Sequence, residues 1–164
     1  RRMLSTPTPM RTVLVGEGLG RFAIALLQGL IRRIGSLLIF GVSWGDPLGA
    51  AAVLIVFCAV GCGAGMLVGA AFRNEQQAGA ISLLAGLGLA AIGGSMVPLE
   101  VFPDTMRTIA HATPHAWGND AFANLVGRNG DIGDVLTELA ALSAFAITLI
   151  ALATWRLRRA LVAA

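Results

Sequence analysis

The residues of this chain that could perform chemistry are two histidines, two cysteines and a few serines. His111 and His115 lie four residues apart, the spacing at which two helical side chains face one metal ion. Pro114 lies between them and interrupts a helix, so the pair makes a poor metal site. Cys58 and Cys62 have the same spacing within an apolar run, where two thiols without further ligands are small packing residues. The sequence therefore predicts no metal site.

Hydrolytic and nucleotide chemistry are not predicted either. A serine hydrolase needs its nucleophile beside a base, and no flanking motif pairs Ser82, Ser95 or Ser143 with a histidine. All twelve basic residues are arginine, whereas a phosphate-binding loop requires a lysine. We predict that this chain has no catalytic residue, no cofactor-binding residue and no ATP-hydrolysing motor of its own.

The composition is that of an integral membrane protein. Of the 164 residues, 56% are hydrophobic and only 13% are charged, and the mean hydropathy is +0.78, which fits neither a soluble nor a disordered chain. The formal net charge of +3 would suggest a nucleic-acid partner in a soluble protein. Here the arginines flank apolar runs without interleaved aromatic residues, so the predicted partner is the lipid bilayer and not nucleic acid.

Four apolar stretches are long enough to cross the hydrocarbon core of a bilayer, which takes about 20 helical residues. The predicted spans cover residues 17–42, 48–72, 78–97 and 135–155. Only short polar connections separate the first three spans, so residues 1–164 are interpreted as one transmembrane domain. The predicted fold class is an all-α membrane protein with about four transmembrane helices.

The first two spans carry unusual residues. Arg32 and Arg33 fall near the middle of the first span, where each arginine costs about 2.5–3.5 kcal/mol on an insertion scale. Three interpretations stay open: the arginines snorkel or pair inside a bundle, they line a polar transport path, or this helix lies partly in the membrane interface. In the second span, Gly61, Gly65 and Gly69 recur at four-residue spacing, which predicts the close approach of another helix.

Between the third and fourth spans, residues 98–134 are predicted to form an extracellular re-entrant region with short amphipathic helices. Prolines break the regularity of the backbone here, and a broken backbone lies at membrane depth only where protein or water covers it. The region is predicted either to gate the transport path or to cap the bundle structurally. The extracellular gate candidates are Gly94, Pro98, Leu99, Phe102, Pro103, Pro114 and Trp117.

The distribution of arginines predicts the orientation in the membrane, because cytoplasmic loops are enriched in basic residues. In the four-span topology most arginines fall on the side of both chain ends, and only Arg107 and Arg128 fall on the other side. Residues 1–16 and 156–164 are therefore predicted to be cytoplasmic. The protein is expected to be a multi-pass protein of the plasma membrane with both termini inside.

Several short motifs occur in a fixed order along the chain. They are Thr6-Pro7, Gly16-Glu17, Phe40-Gly41-Val42, Glu75-Gln76-Gln77-Ala78, Gly93-Gly94, Pro98-Leu99, Phe102-Pro103, Thr113-Pro114-His115-Ala116-Trp117 and Trp155-Arg156-Leu157-Arg158-Arg159. The ordered set resembles the C-terminal part of the membrane subunit of type-2 ABC exporters, a family of bacterial drug, antibiotic and polysaccharide efflux permeases. Three features depart from the family. Glu17 stands where a lysine is frequent, and the central Arg32-Arg33 pair is unusual for a span of this family. The roughly six spans of the family would place two further spans before Arg1.

The resemblance implies an ATP-driven efflux permease for a hydrophobic or amphipathic, drug-like or lipid-like small molecule. It implies a separate ABC ATP-binding subunit that holds ATP and Mg²⁺, and a second copy of this permease or a homologous permease. The ATPase-coupling candidates that it implies are Arg2, Thr6, Pro7, Arg73, Glu75 and Gln76. The alternative is that these loops only set the topology.

A non-enzymatic membrane channel or assembly subunit is the alternative function. A neighbouring gene for a lone ATP-binding cassette protein would favour the exporter, and its absence would favour the alternative. The uncharged spans fit a hydrophobic cargo, but ordinary packing explains their composition equally, so the sequence does not identify the substrate.

Overall fold

The computed structural model describes residues 10–72 and 74–162. Within these ranges the chain forms six α-helices and two short 3₁₀ helices and contains no strand, which confirms the all-α fold. The α-helices are α1 (Met10–Phe40), α2 (Pro47–Ala71), α3 (Glu75–Ile92), α4 (Asp104–Ala110), α5 (Pro114–Gly127) and α6 (Leu136–Val162). The 3₁₀ helices are Leu99–Val101 and Ile132–Val135.

Helix α2 is the centre of the bundle, because it packs against α6 along much of its length and also contacts α1, α3 and α5. Consecutive long helices run in opposite directions, and short connections join α1 to α2 and α2 to α3. Residues 93–135, which connect α3 to α6, are called the hairpin below, and the end of the bundle that they cover is the hairpin end. The link between α2 and α3 and the end of α6 lie at the other end, called the link end.

Three stretches of the described helices are long and apolar enough to cross a membrane: Val15–Phe40, Pro47–Ala71 and Ile132–Arg159. The second matches the predicted span 48–72 closely. Helix α1 begins at Met10, before the predicted start of the first span. Helix α6 continues to Val162, so most of the predicted tail 156–164 is helical.

Helix α3 departs from the predicted span 78–97. It ends at Ile92 because Gly93 and Gly94 leave the helix, and Gly94 has a φ of +83°. With 18 residues it is about 27 Å long, which is short for a hydrocarbon core of about 30 Å. The other three long helices have the length and hydropathy of a membrane span. The prediction of a fourth span therefore depends on α3 alone.

The hydrophobic core lies at the hairpin end, where α2, α5 and α6 meet. Its largest fully buried side chains are Leu125, Leu142, Val53 and Val135. Helix α2 begins in this core with two strong signals: Pro47 occupies the first turn, and the Asp46 carboxylate accepts a hydrogen bond of 2.8 Å from the Gly49 amide.

The close contact between α2 and α6 depends on Gly63. A Cβ atom at this position would lie 2.9 Å from the Cβ of Leu149. The predicted packing row of Gly61, Gly65 and Gly69 is wrong in register, because a Cβ at Gly61 would meet no atom within 4 Å and the other two would meet only an arginine side chain. Two residues turn an α-helix by about 200°, so Gly63 lies on nearly the opposite face from that row.

Candidate functional site

The hairpin contains all the predicted gate residues, and its fold explains their types. The chain reverses at Gly94, where an added Cβ would overlap the Leu99 side chain. Leu99 is only 3% exposed and packs with Ala110, Ala116 and the half-buried Phe102 in a small core of the hairpin's own. The structure thus brings Gly94 and Phe102 into contact with the buried Leu99.

Prolines set the helix starts within the hairpin. Pro103 precedes α4, and Pro114 occupies the first turn of α5, where a missing N–H costs nothing. Between these helices, the hydroxyl of the buried Thr113 donates a hydrogen bond of 2.9 Å to the Ala110 carbonyl. Pro98 lies directly before the first 3₁₀ helix and is exposed. The prolines therefore mark the positions at which the short helices of the hairpin begin.

His111 joins α4 to α5. Its Nδ1 lies 2.7 Å from the Arg107 carbonyl oxygen, and its Nε2 lies 2.7 Å from Oδ2 of Asp120. The Trp117 indole N–H donates a hydrogen bond of 2.8 Å to the His111 carbonyl, and the two rings stack edge to face at 4.8 Å. This arrangement, called the His111 clasp below, places the predicted gate residue Trp117 against the turn between the two helices.

The His111 clasp favours the charged imidazolium, because both ring nitrogens face acceptors. Burial alone would lower the pKa of His111, but the hydrogen bonds to the Arg107 carbonyl and the Asp120 carboxylate raise it above its ordinary value. His111 and His115 lie on different sides of the α4–α5 turn, as the intervening Pro114 predicts, and the described residues contain no cluster that could hold a metal ion.

A second junction attaches α3 to α5. The Asn119 side-chain amide donates hydrogen bonds of 2.8 Å to the Gly93 carbonyl and 3.1 Å to the Ser95 hydroxyl. An added Cβ at Gly93 would lie 2.5 Å from His115 Cβ and 2.6 Å from Thr113 Oγ1, so only glycine permits this contact. The end of α3 is therefore fixed to the start of α5.

A polar pocket of about 340 Å³ opens on the surface of the hairpin. Its charged lining consists of Glu100, Arg107, His111, Asp120, Arg128 and Glu138. Charges of both signs lie side by side here, so the pocket is a hydrated surface of the hairpin end and has no single-sign field that would select an anion or a cation.

At the link end, Glu75 and Gln76 of the predicted ATPase-coupling set are exposed in the first turn of α3. The Asn74 side chain caps this helix by accepting a hydrogen bond of 2.9 Å from the Gln76 amide. The remaining predicted residues, Arg2, Thr6, Pro7 and Arg73, lie outside the described residues. Nothing but the helix cap engages this turn among the described side-chain hydrogen bonds, so its side chains are open to a partner.

The predicted intramembrane charges, Arg32 and Arg33, lie on α1, with Arg32 exposed and Arg33 half-buried. Neither forms an ion pair with a described residue. Arg21 is different: it bridges Glu17 on its own helix, and its guanidinium lies over Gly65 and Gly69 of α2. The glycine row that the sequence marked for helix packing thus accommodates a side chain from α1.

Sequence reasoning missed the contacts that hold the hairpin together, namely the pairing of Asp120 with His111 and the hydrogen bonds of Asn119. Their partners lie nine residues away for Asp120 and 26 away for Asn119. No short motif carries such pairings, because they arise from the packing of α5 on α4 and α3. The one available signal was the concentration of polar residues in 111–124 between apolar spans.

Comparison with known proteins adds a family to this geometry. A model of the ABC-2 family transporter proteins matches residues 1–155. The chain is also 24% identical over 145 residues to the linearmycin resistance permease protein LnrN of Bacillus subtilis (strain 168). That match covers 88% of this chain and 38% of the relative, so the chain spans less than half of that protein's length. No solved structure matches.

Proposed function

Because this multi-pass membrane protein belongs to the ABC-2 family of transporter proteins, we propose that it forms the membrane-spanning part of an ATP-driven exporter. The observation that carries the proposal is the match over nearly the whole chain, together with a hairpin at one end of the bundle and an open polar turn at the other. ATP and Mg²⁺ are bound by a separate ATP-binding subunit, and the permease acts with a second copy or a homologous permease.

The proposed orientation has the link end in the cytoplasm. Arg156, Arg158 and Arg159 lie at the link end, whereas the acidic residues concentrate at the hairpin end. The acidic residues between α3 and α6 are Glu100, Asp104, Asp120, Asp131 and Asp134. Basic residues favour the cytoplasmic side, so this distribution supports cytoplasmic termini and an extracellular hairpin in the plasma membrane.

The cargo is proposed to be a hydrophobic or amphipathic small molecule of the antibiotic class. The relative's printed name describes resistance to linearmycin, which supports this class for the present chain. Linearmycin therefore serves as the first probe. The coupling surface is proposed to be the exposed first turn of α3 with Glu75 and Gln76, together with Arg2, Thr6, Pro7 and Arg73.

The test is resistance of a linearmycin-sensitive bacterium that produces this permease with an ABC ATP-binding subunit. The inhibitory concentration should rise, and it should return to the background level when the partner's ATP-binding lysine is replaced. Glu75→Lys should reduce resistance while the amount of permease in the membrane, measured by immunoblot, stays unchanged. Export that survives an inactive ATPase would support the channel alternative and contradict the exporter.

The hairpin is proposed to gate the extracellular side. A gate must change the exposure of its buried core between states, and Leu99 provides the probe because it is 3% exposed while the nearby Val101 is 67% exposed. In a chain whose Cys58 and Cys62 are replaced by alanine, a cysteine at position 99 should react slowly with an impermeant thiol reagent at rest and faster in the ATP-trapped state.

The control is a cysteine at position 101, which should react rapidly in both states. Equal reactivity of position 99 in the resting and ATP-trapped states would contradict gating and leave the hairpin as a structural cap. Phe102, half-buried beside Leu99, offers a second probe position with the same expectation.

A further inference from the structure

A groove of about 450 Å³ lies between α1 and α6, with α2 as its floor. Both flanking helices pack on α2 but have few contacts with each other, so the space between them stays open. The apolar lining includes Leu19 of α1, Ala59 of α2 and Ile150 of α6. Leu19 is 63% exposed, so the groove opens at the surface of the bundle and not into its interior.

The groove runs from the middle of the membrane-spanning helices to the link end. Ala59 is the central residue of α2. Helices α2 and α6 run in the same direction with Gly63 beside Leu149. Arg158 of α6, which also lines the groove, therefore lies level with the end of α2, about 20 Å along the axis from Ala59. A bilayer measures about 40–45 Å with its headgroups, so the groove has the depth of one leaflet.

Arg158 places a positive charge at the link-end mouth of the groove, where it is exposed. The neighbouring arginines are engaged elsewhere. The Arg156 side chain donates a hydrogen bond of 3.4 Å to the Ala70 carbonyl. The Arg159 guanidinium lies 4.4 Å from the centre of the Trp155 ring. Arg158 itself forms no ion pair with any described residue.

The chain offers no acidic partner inside the groove, because none of its described lining residues is acidic. Glu17 is on α1 at the link end, but it bridges Arg21. Two residues turn a helix by about 200°, so Glu17 lies on nearly the opposite face from Val15 and Leu19, which line the groove. A basic pocket between membrane-spanning helices suits an anionic lipid headgroup, and a guanidinium pairs well with a phosphate.

We propose that this groove binds one anionic phospholipid from the leaflet at the link end, with an acyl chain along α2 and the phosphate paired with the Arg158 guanidinium. Arg156 and Arg159 beside the mouth favour a lipid of net negative charge over a zwitterionic one. Binding requires neither a cargo nor ATP, so the proposal goes beyond the proposed function and is tested without transport.

The experiment uses the full chain, purified in detergent micelles, with added phosphatidylglycerol or phosphatidylcholine. Native mass spectrometry should show one phosphatidylglycerol that binds at a lower lipid concentration than phosphatidylcholine. Arg158→Gln should weaken phosphatidylglycerol binding about three- to tenfold, the effect of losing one arginine at an anionic headgroup. Arg159→Gln, the matched control, removes an equal charge at the same helix end but outside the groove lining, and should leave the affinity nearly unchanged.

A second pair of variants tests the place of the acyl chain. Thr154→Phe adds a ring to the groove lining one turn deeper than Arg158 and should reduce phosphatidylglycerol binding. Leu152→Phe, on the same helix at a position that is 46% exposed and outside the lining, should not. The unfolding midpoint in lipid-free micelles establishes that each variant is folded. Added phosphatidylglycerol should raise this midpoint in the parent chain, and less so in Arg158→Gln.

Three outcomes would overturn the proposal. Equal losses of phosphatidylglycerol binding in Arg158→Gln and Arg159→Gln would show a diffuse effect of surface charge. Full binding in Thr154→Phe would place the lipid outside the groove. In a chain whose Cys58 and Cys62 are replaced by alanine, a disulfide between two Leu19→Cys chains that releases the lipid would assign the groove to a second copy.

Discussion

Helices α2 and α3 are both apolar, yet the protein treats them in opposite ways. Eight residues of α2 are buried, including Val53, Cys62 and Met66, whereas no residue of α3 is buried. Helix α2 contacts every other long helix, whereas α3 has only sparse contacts with α2 and α5, the latter at the Gly93 junction. An apolar sequence therefore predicts that a helix can lie in lipid, but it does not predict which helices pack against it.

The largest difference is expected from removing matched leucines. Leu142→Ala empties a fully buried position that packs in the core with α2, so the free energy of unfolding should fall by about 2 kcal/mol from the cavity alone. Leu84→Ala on α3 removes a side chain that is 72% exposed and should change it by less than about 0.5 kcal/mol. Denaturation in detergent micelles measures both values.

Similar losses for the two leucine variants would contradict the contrast between the helices. They would mean that α3 has partners beyond those described for this chain, and cross-linking from position 84 would then identify them.

A smaller effect is expected from glycine substitutions, because they add atoms and do not remove them. Gly63→Ala forces a Cβ to within 2.9 Å of Leu149 Cβ, so α2 and α6 must separate, and stability should fall by about 1–3 kcal/mol. Gly88→Ala on α3 meets no atom within 4 Å and should stabilise by up to about 1 kcal/mol through helix propensity. In one thermal unfolding assay, the midpoint should therefore fall for Gly63→Ala and rise for Gly88→Ala.

The smallest effect concerns the hairpin that holds α3 in place. The pKa of His111 is raised in the folded protein, so its clasp stabilises fully below its ordinary pKa of about 6.5, and this contribution is lost as the pH rises through the folded value. Asp120→Asn removes the carboxylate partner of the imidazolium. At pH 5 its free energy of unfolding should lie below that of the parent chain by about 1 kcal/mol or less.

The difference in the free energy of unfolding between the parent chain and Asp120→Asn should disappear as the pH rises towards 8.5. Asp120→Asn also changes the interactions of the other charged groups of the polar pocket, Glu100, Arg107, Arg128 and Glu138. A double-mutant cycle with His111→Gln therefore isolates the contribution of the His111–Asp120 pair. A gap that stays constant across this range would show that His111 is neutral in the clasp.

Sequence reasoning captured the features that depend on composition and local punctuation. The apolar runs located α2 to within one residue, and the prolines located the hairpin and the break between α4 and α5. It failed where the outcome depends on which faces meet. The row of Gly61, Gly65 and Gly69 and the single Gly63 are chemically equal in the sequence, and only the direction of α6 distinguishes them.

The candidate site followed the same division. The backbone breaks at the gate candidates were predicted because proline and glycine have local backbone consequences, as at Gly94 and Pro114. The His111 clasp and the Asn119 junction were not found, since a polar side chain in a loop carries no mark of its distant partner. The membership of the family is confirmed over residues 1–155, and the roles of individual site residues stay predictions.

The lengths of the two compared helices have a consequence for the surrounding lipid. Helix α2 has 25 residues and α3 has 18, a difference of about 10 Å in length. With α3 crossing the bilayer as the four-span prediction has it, acyl chains beside α3 must compress, whereas those beside α2 need not. Bilayers of short-chain lipids should suit this protein better than thick, sterol-rich ones, and hydrophobic mismatch becomes a means of adjusting how far α3 stands from its neighbours.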